Sequence, residues 1–494
     1  MTSIAFPSSV TLIGSYAFSG CGSLTSINFS PNITSIGENA FKGCNINDVK
    51  VSVTDLSAFC NNIVMKQIRN SLDKPVTLVD DGGNEINEYV IPNDVTSVGN
   101  SAFENCTGLI SVTIPDCVTT IGVESFIDCT AMTSITIPSS VTYIGDEAFR
   151  GCKGLNSVVL CCNTTSVGKK MFSGCDNIKE VEFDCDKIMP IFSGFTSIEK
   201  ITIKEGAASI DDNAFSECSG ITSVEIPSSI ISIGSGAFYR CYNINDSQIS
   251  LNNVATIGDK AFYGCSKIKN ITLSKNLTTI SAYVFYECSG LTSIEIPNSV
   301  TSIGNNAFNG CSGISNSIKV PNSVTIIGDY AFNKCNNVKD FYVGDGVTNI
   351  GKCAFANCDK MENFYCYAYH YPKTKDDVFK DSYIDYVTLY VPKDAVNQYK
   401  AVEPWKNFKE IVGVDYESGI FLANTENACI QCTGGMILLS GIELGKMINV
   451  YDVSGKLVVS AKSNTNKMSI CTNLKKGEVA IIKIGDKSVK VVME

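Results

Sequence analysis

Met132-Thr133-Ser134-Ile135-Thr136-Ile137-Pro138-Ser139-Ser140-Val141-Thr142-Tyr143-Ile144-Gly145-Asp146-Glu147-Ala148-Phe149-Arg150-Gly151-Cys152 holds one complete unit of a longer pattern. Ile135 and Ile137 stand two apart, flanked by Thr, so a short strand here buries one face and shows the other. Pro138 ends that strand, because proline has no N–H to give a ladder. Val141 and Ile144 turn inward again, and Gly145 permits a tight bend. Asp146 is placed to cap a single helical turn that carries Ala148, Phe149 and Cys152 into the core. One such coil cannot bury its own apolar side. Stacked coils can, with strands about 4.8 Å apart in a parallel sheet.

The unit recurs. Phenylalanine stands at Phe18, Phe41, Phe103, Phe126, Phe149, Phe172, Phe192, Phe215, Phe238, Phe262, Phe285, Phe308, Phe332 and Phe355, mostly 23 or 24 residues apart. A cysteine follows three residues later every time except after Phe192, where Phe195 takes the slot. A fixed period of this size means a solenoid.

The pattern L-T-S-I-x-I-P-x-S-V-T-x-I-G-x-x-A-F-x-G-C, matched almost position for position at 132–152 and 291–311, resembles the BspA-like, or treponemal-type, leucine-rich repeats. The resemblance covers about residues 1–410 and implies a repeat solenoid: a right-handed leucine-rich-repeat superhelix with short parallel strands on one face. We expect this solenoid over 1–412. Within it, 45–90 breaks the period with a helix near 63–72 and a turn at Gly82-Gly83; the segment reads as irregular coils, with a functional loop as the alternative. At 376–412, Val396, Tyr399 and Val402 lie at helical spacing ahead of Trp405, the only tryptophan, as a closing cap would have them.

A linker at 413–426 leads to 427–494, where some seven short alternating strands predict a small all-β sandwich. Ile448-Asn449-Val450-Tyr451-Asp452-Val453-Ser454-Gly455-Lys456-Leu457-Val458 and the ending Lys490-Val491-Val492-Met493-Glu494 resemble the C-terminal sorting domain of type IX secretion in Bacteroidetes. That resemblance implies export to the cell surface or release; an ordinary terminal β-domain is the alternative.

Composition narrows the partners. The net charge is −11 and no basic stripe exists, so nucleic acid and anionic membrane surfaces are poor partners. No run of 18 apolar residues exists to span a bilayer. Met1 lies just ahead of Ile4-Ala5-Phe6-Pro7, already the end of a strand, which predicts a native start, signal peptide and polar cap upstream.

Twenty-three cysteines raise the question of disulfides or metal. Thirteen share one slot, and equivalent side chains of stacked coils run parallel, so their Cβ atoms do not converge as a bridge requires. A reduced ladder of small buried side chains is the expectation. Cys161-Cys162 and Cys429-Ile430-Gln431-Cys432 remain; a lone C-x-x-C is a weak metal or redox signal, and no metal site or cofactor is expected.

Enzyme chemistry is poorly supplied. The single histidine, His370, sits in an aromatic run, and no phosphate loop, zinc-protease helix or nucleophile elbow is present. Glu182, Glu225 and Glu295 recur at outward strand positions, where a glycosidase pair is conceivable but a solvated sheet is the simpler reading. Successive coils also set Tyr342, Tyr365 and Tyr390 side by side on the sheet, with Tyr367, Tyr369, His370 and Tyr371 close behind. Tyr342, Tyr365, Tyr390, Tyr367, Tyr369 and His370 form the candidate ligand-binding site, unless the cap or the C-terminal domain covers them. By resemblance, the chain is a non-catalytic surface or secreted protein adhering to host extracellular-matrix proteins or other bacterial macromolecules. The alternative is glycan binding on the tyrosines.

Overall fold

The computed structural model describes residues 1–414 apart from 54, 62, 162–165, 246–248, 316 and 376, and residues 429–492 apart from 434–435, 441–444, 466, 476–477 and 485–486. Residues 1–414 wind into a β-solenoid of about 17 coils. At about 4.8 Å per coil the rod is roughly 80 Å long.

A regular coil contributes three backbone ladders. The strand Ser134–Ile137 pairs in parallel with Ser157–Leu160, in the register Ile135↔Val158 and Ile137↔Leu160. The two-residue strand Tyr143–Ile144 pairs with Thr120–Ile121 before it and Ser166–Val167 after it. The third ladder runs through the turns: the N–H groups of Glu147, Phe149 and Gly151 donate to the carbonyls of Lys169, Met171 and Ser173 in the next coil. The expected helical turn therefore does not form. Glu147 (φ 56°) and Gly151 (φ 74°) are both left-handed, which a right-handed helix cannot contain. Asp146 caps nothing; its carboxylate accepts the Lys169 N–H of the following coil at 2.7 Å.

The phenylalanines stack face to face through the core, for example Phe126 on Phe149 at 5.1 Å and 2°. The period has one more mark than the sequence displayed: Phe379 stacks on Phe355 at 5.8 Å, and Ser382 stands in its cysteine slot. The 20-residue step keeps the row, with Phe192 stacked on Phe172 at 5.4 Å, and beyond it Phe183 packs edge-on against both Phe192 and Phe215.

The cysteine slot is a hydrogen-bonding position. Cys152 Sγ donates to the Phe126 carbonyl at 3.0 Å, and Cys175 Sγ to the Phe149 carbonyl at 3.0 Å. The same bond recurs at Cys241, Cys288 and Cys311. Ser382 supplies it at the last mark, donating to the Phe355 carbonyl at 2.6 Å. Burial pushes the thiols of Cys218, Cys288 and Cys335 up to about 12, so they stay neutral donors at physiological pH. The described cysteines are free, and no group of three metal-ligating side chains occurs among the described residues. Cys162 and the side chains of Cys429 and Cys432 lie outside the described residues.

The 45–90 segment joins the array at both ends. Asp48–Ser52 pairs with Ser26–Phe29 before the segment and with Thr77–Val79 inside it, and Glu88–Val90 pairs with Ser111–Thr113 after it. Between them the helix Val64–Leu72 buries Val64, Met65 and Ile68. Its Arg69 forms an ion pair with the buried carboxylate of Glu104. At the other end, Trp405 is fully buried among Phe364, Phe379, Tyr399 and Phe408. The last parallel strand comes after this cap, where Glu410–Val414 pairs with Thr388–Pro392. Among the described residues seven strands follow, in two antiparallel sheets of three and four. Ile437, Leu439 and Ile470 from one sheet share a core with Ile448, Val450, Ala480 and Ile482 from the other.

Candidate interaction surface

Outward residues of the long strands line up because the parallel register places like positions side by side. Lys319, Tyr342, Tyr365, Tyr390 and Val412 are consecutive register partners across five strands. The rings of Tyr342 and Tyr365 stack at 4.4 Å and 8°, and those of Tyr365 and Tyr390 at 4.5 Å and 11°. Lys319 Nζ lies 5.7 Å from the Tyr342 ring centre, a cation on the ladder's free end. All three tyrosines are half-buried, as mutual stacking requires. Both faces of Tyr365 are thereby occupied, so the stack presents ring edges and hydroxyls. Burial, followed by the neighbouring Tyr342 and Tyr390, pushes the Tyr365 hydroxyl up to about 12, and burial also raises that of Tyr342. These hydroxyls are protonated at neutral pH and can donate.

Tyr367 continues this patch, its ring 6.3 Å from Tyr365 and tilted 33°. Tyr369 and His370 follow as exposed residues, packed edge to face with each other at 5.1 Å. His370 Nδ1 approaches Gln398 Oε1 of the cap at 3.4 Å. The histidine thus belongs to the loop that meets the cap helix Val396–Lys400. On a separate sheet earlier in the solenoid, Glu182 pairs with Lys204 at 3.1 Å, a solvated ion pair.

A second aromatic row went unread in the sequence. It lies on the turn ladder, at the residue following each phenylalanine. Tyr263 and Tyr286 stack there at 4.6 Å and 12°, and Tyr239 lies 4.9 Å from Tyr263, tilted by 35°. The repeat Phe238-Tyr239, Phe262-Tyr263, Phe285-Tyr286 was the available signal. A helical turn would have splayed these side chains; the observed turn ladder aligns them.

The comparisons with known proteins agree with this architecture. The model of the BspA type leucine rich repeat region matches in six copies, over residues 1–73, 82–191, 189–315 and 278–399. Among solved structures, a leucine-rich repeat protein from Bacteroides ovatus ATCC 8483 is similar at TM-score 0.50 and 25% identity, covering 79% of this chain and 92% of that one. A leucine-rich repeat protein from Eubacterium ventriosum ATCC 27560 is similar at TM-score 0.30 and 21% identity, covering 48% and 82%. The leucine-rich repeat protein of T. pallidum is similar at TM-score 0.29 and 28% identity, covering 32% and 72%. No curated protein matches.

Proposed function

From its place in the BspA-type leucine-rich repeat family, to which this chain belongs, we propose a non-catalytic binding protein, exposed on a cell surface or secreted. Its partners are extracellular-matrix proteins of a host or surface macromolecules of other bacteria, engaged along the sheet face. The observation that carries this reading is the stacked row Tyr342, Tyr365 and Tyr390. Rigid aromatic side chains give contact area and hydroxyl donors at low entropic cost, which suits a protein–protein hot spot. Tyr367, Tyr369 and His370 would extend the contact toward the cap. A glycan stacked on this row would have only its end faces to use, at Tyr342 under Lys319 and at Tyr390 beside Val412.

Surface display would follow from the C-terminal β-domain, whose 448–494 segment resembles a type IX sorting domain. Among the described residues no helix is long and apolar enough to cross a membrane.

The test is binding of the whole chain to purified matrix proteins and mucin glycans, beside a variant carrying Tyr342→Ala, Tyr365→Ala and Tyr390→Ala. Loss of a hot spot worth about 2 kcal/mol weakens a protein partner about 30-fold. An unchanged Kd for every protein partner overturns the reading, and a loss confined to glycans moves the site to its alternative.

A further inference from the structure

We propose that the partner segment taken by the sheet row is a proline-rich chain in the polyproline II conformation, lying along the rod and across its strands. This inference rests on the sheet row being the contact surface, and it names the chemistry that the row fits. The backbone beneath the row is already committed. Asn363–Cys366 pairs with Asp340–Val343 on one side and Thr388–Pro392 on the other, and Thr388–Pro392 pairs in turn with Glu410–Val414. A partner strand therefore cannot add to the sheet under the tyrosines, and recognition falls to the side chains. The charges beside the row are matched too. Lys339 Nζ donates to Glu362 at 2.7 Å, and Asn363 Nδ2 donates to Asp340 at 2.8 Å. Arg69, Arg150 and Arg240, the chain's arginines, all lie in earlier coils, so no arginine cluster stands here to hold a phosphate or an acidic motif.

Spacing then decides among backbone shapes. Ring centres 4.4 and 4.5 Å apart, with planes within 11° of each other, put Tyr342 and Tyr390 about 9 Å apart along the rod. A polyproline II strand rises about 3.1 Å per residue with three residues per turn, so the same face returns every ~9.3 Å. An extended β-strand returns a face every ~6.6 Å. A helix turns every ~5.4 Å and spends its carbonyls internally. Polyproline II alone is in step with the outer two tyrosines, and its carbonyls have no internal partner. The row supplies what they need. The Tyr342 and Tyr365 hydroxyls share a hydrogen bond, which takes one of their two protons and leaves the other, with that of Tyr390, for a partner. With Tyr365 as donor inside the pair, the outward donors are Tyr342 and Tyr390, two ring steps apart. Prolines three residues apart then lie against the ring edges, and the Tyr367 ring, 6.3 Å from Tyr365, stands beside them as a wall. A chain already extended and stiff loses little entropy on docking to rigid rings.

The experiment is calorimetry of the whole chain with a synthetic peptide of Pro-x-x-Pro repeats, a peptide of the same composition with its prolines two apart, and a triple-helical Gly-Pro-Pro peptide. The same titrations are run on Tyr342→Phe, Tyr390→Phe, the double variant, and Tyr286→Phe on the turn edge. Phenylalanine keeps each ring in its stack and removes only the hydroxyl, and circular dichroism checks folding. We expect the Pro-x-x-Pro peptide to bind best. One lost hydrogen bond should weaken it about fivefold in Tyr342→Phe and in Tyr390→Phe, with a larger loss in the double variant and none in Tyr286→Phe. The proposal fails if no proline-rich peptide binds, if both proline spacings bind equally, if only the triple helix binds, or if the double variant binds as tightly as the parent. Matrix proteins that still depend on the three tyrosines when no peptide binds would leave the proposed function standing and sink this inference alone.

Discussion

Replacing Cys311 by serine should leave the protein more stable than replacing it by alanine. Cys311 is fully buried and its thiol donates to the Phe285 carbonyl at 3.2 Å, an oxygen that also accepts the Cys288 N–H at 3.2 Å. Both substitutions remove the bulk of the sulfur, so their difference isolates the donor. A serine hydroxyl that takes over the bond contributes a net 0.5–1.5 kcal/mol, or about 1. A hydroxyl buried without a partner would instead cost about 1–3 kcal/mol. The two possibilities differ in sign. Ser382 shows the geometry within this chain, its hydroxyl 2.6 Å from the Phe355 carbonyl. Urea unfolding followed by circular dichroism reads the difference: at a slope near 3 kcal/mol per M, Ser should exceed Ala by about 0.3 M in midpoint. Repeating the pair at Cys265 and Cys335, three coils apart and so about 14 Å, should give additive shifts. Alanine more stable than serine at these positions would refute the donor role and return the slot to simple apolar packing.

Alkaline pH tests the same thiols. Burial raises them, so the folded chain holds protons that the unfolded chain releases above about 9, the ordinary value. Their contribution is intact below pH 9 and fades as pH rises toward 12, at about 1.4 kcal/mol per pH unit for each thiol. Melting temperature should fall between pH 9 and 10.5, less steeply in a variant with several Cys→Ser changes; equal slopes would contradict this. Arg69→Ala should cost about 3 kcal/mol by stranding Glu104, 1% exposed, and Glu104→Gln should restore much of it. Hydrogen exchange of 64–72 reports both, and unaltered protection in Arg69→Ala would sink the idea. Phe308→Ala, removing a ring stacked at 5.5 Å on Phe285 and 5.4 Å on Phe332, should cost about 3–5 kcal/mol in the same urea assay.

The phenylalanine period was enough to read the solenoid, because every mark buries the same ring in the same layer. It also placed Tyr342, Tyr365 and Tyr390 in register, since outward strand positions alternate strictly with buried ones. The turn edge was misread for a physical reason. Asp146 ahead of an apolar pair looks like a helix start, yet the backbone takes left-handed steps at Glu147 and Gly151, and a non-glycine residue gives no sign of such a step. That misreading hid the row through Tyr239, Tyr263 and Tyr286. The role of the thiols was hidden differently. Cysteine serves both as apolar filler and as donor, and only the approach of each sulfur to the preceding phenylalanine carbonyl separates the two. The last mark, Phe379 with Ser382 in its slot, falls inside 376–412, which reads as a closing cap rather than a further coil.

Each regular coil offers its successor the same carbonyl to receive a thiol and the same ring to lie against. In-frame gain or loss of 23 or 24 codons would therefore lengthen or shorten the rod by one step of about 4.8 Å without introducing a new kind of contact. The reach of the molecule is heritable in discrete units. A gene of this kind can tune the distance between the two ends of its rod without redesigning a single interface.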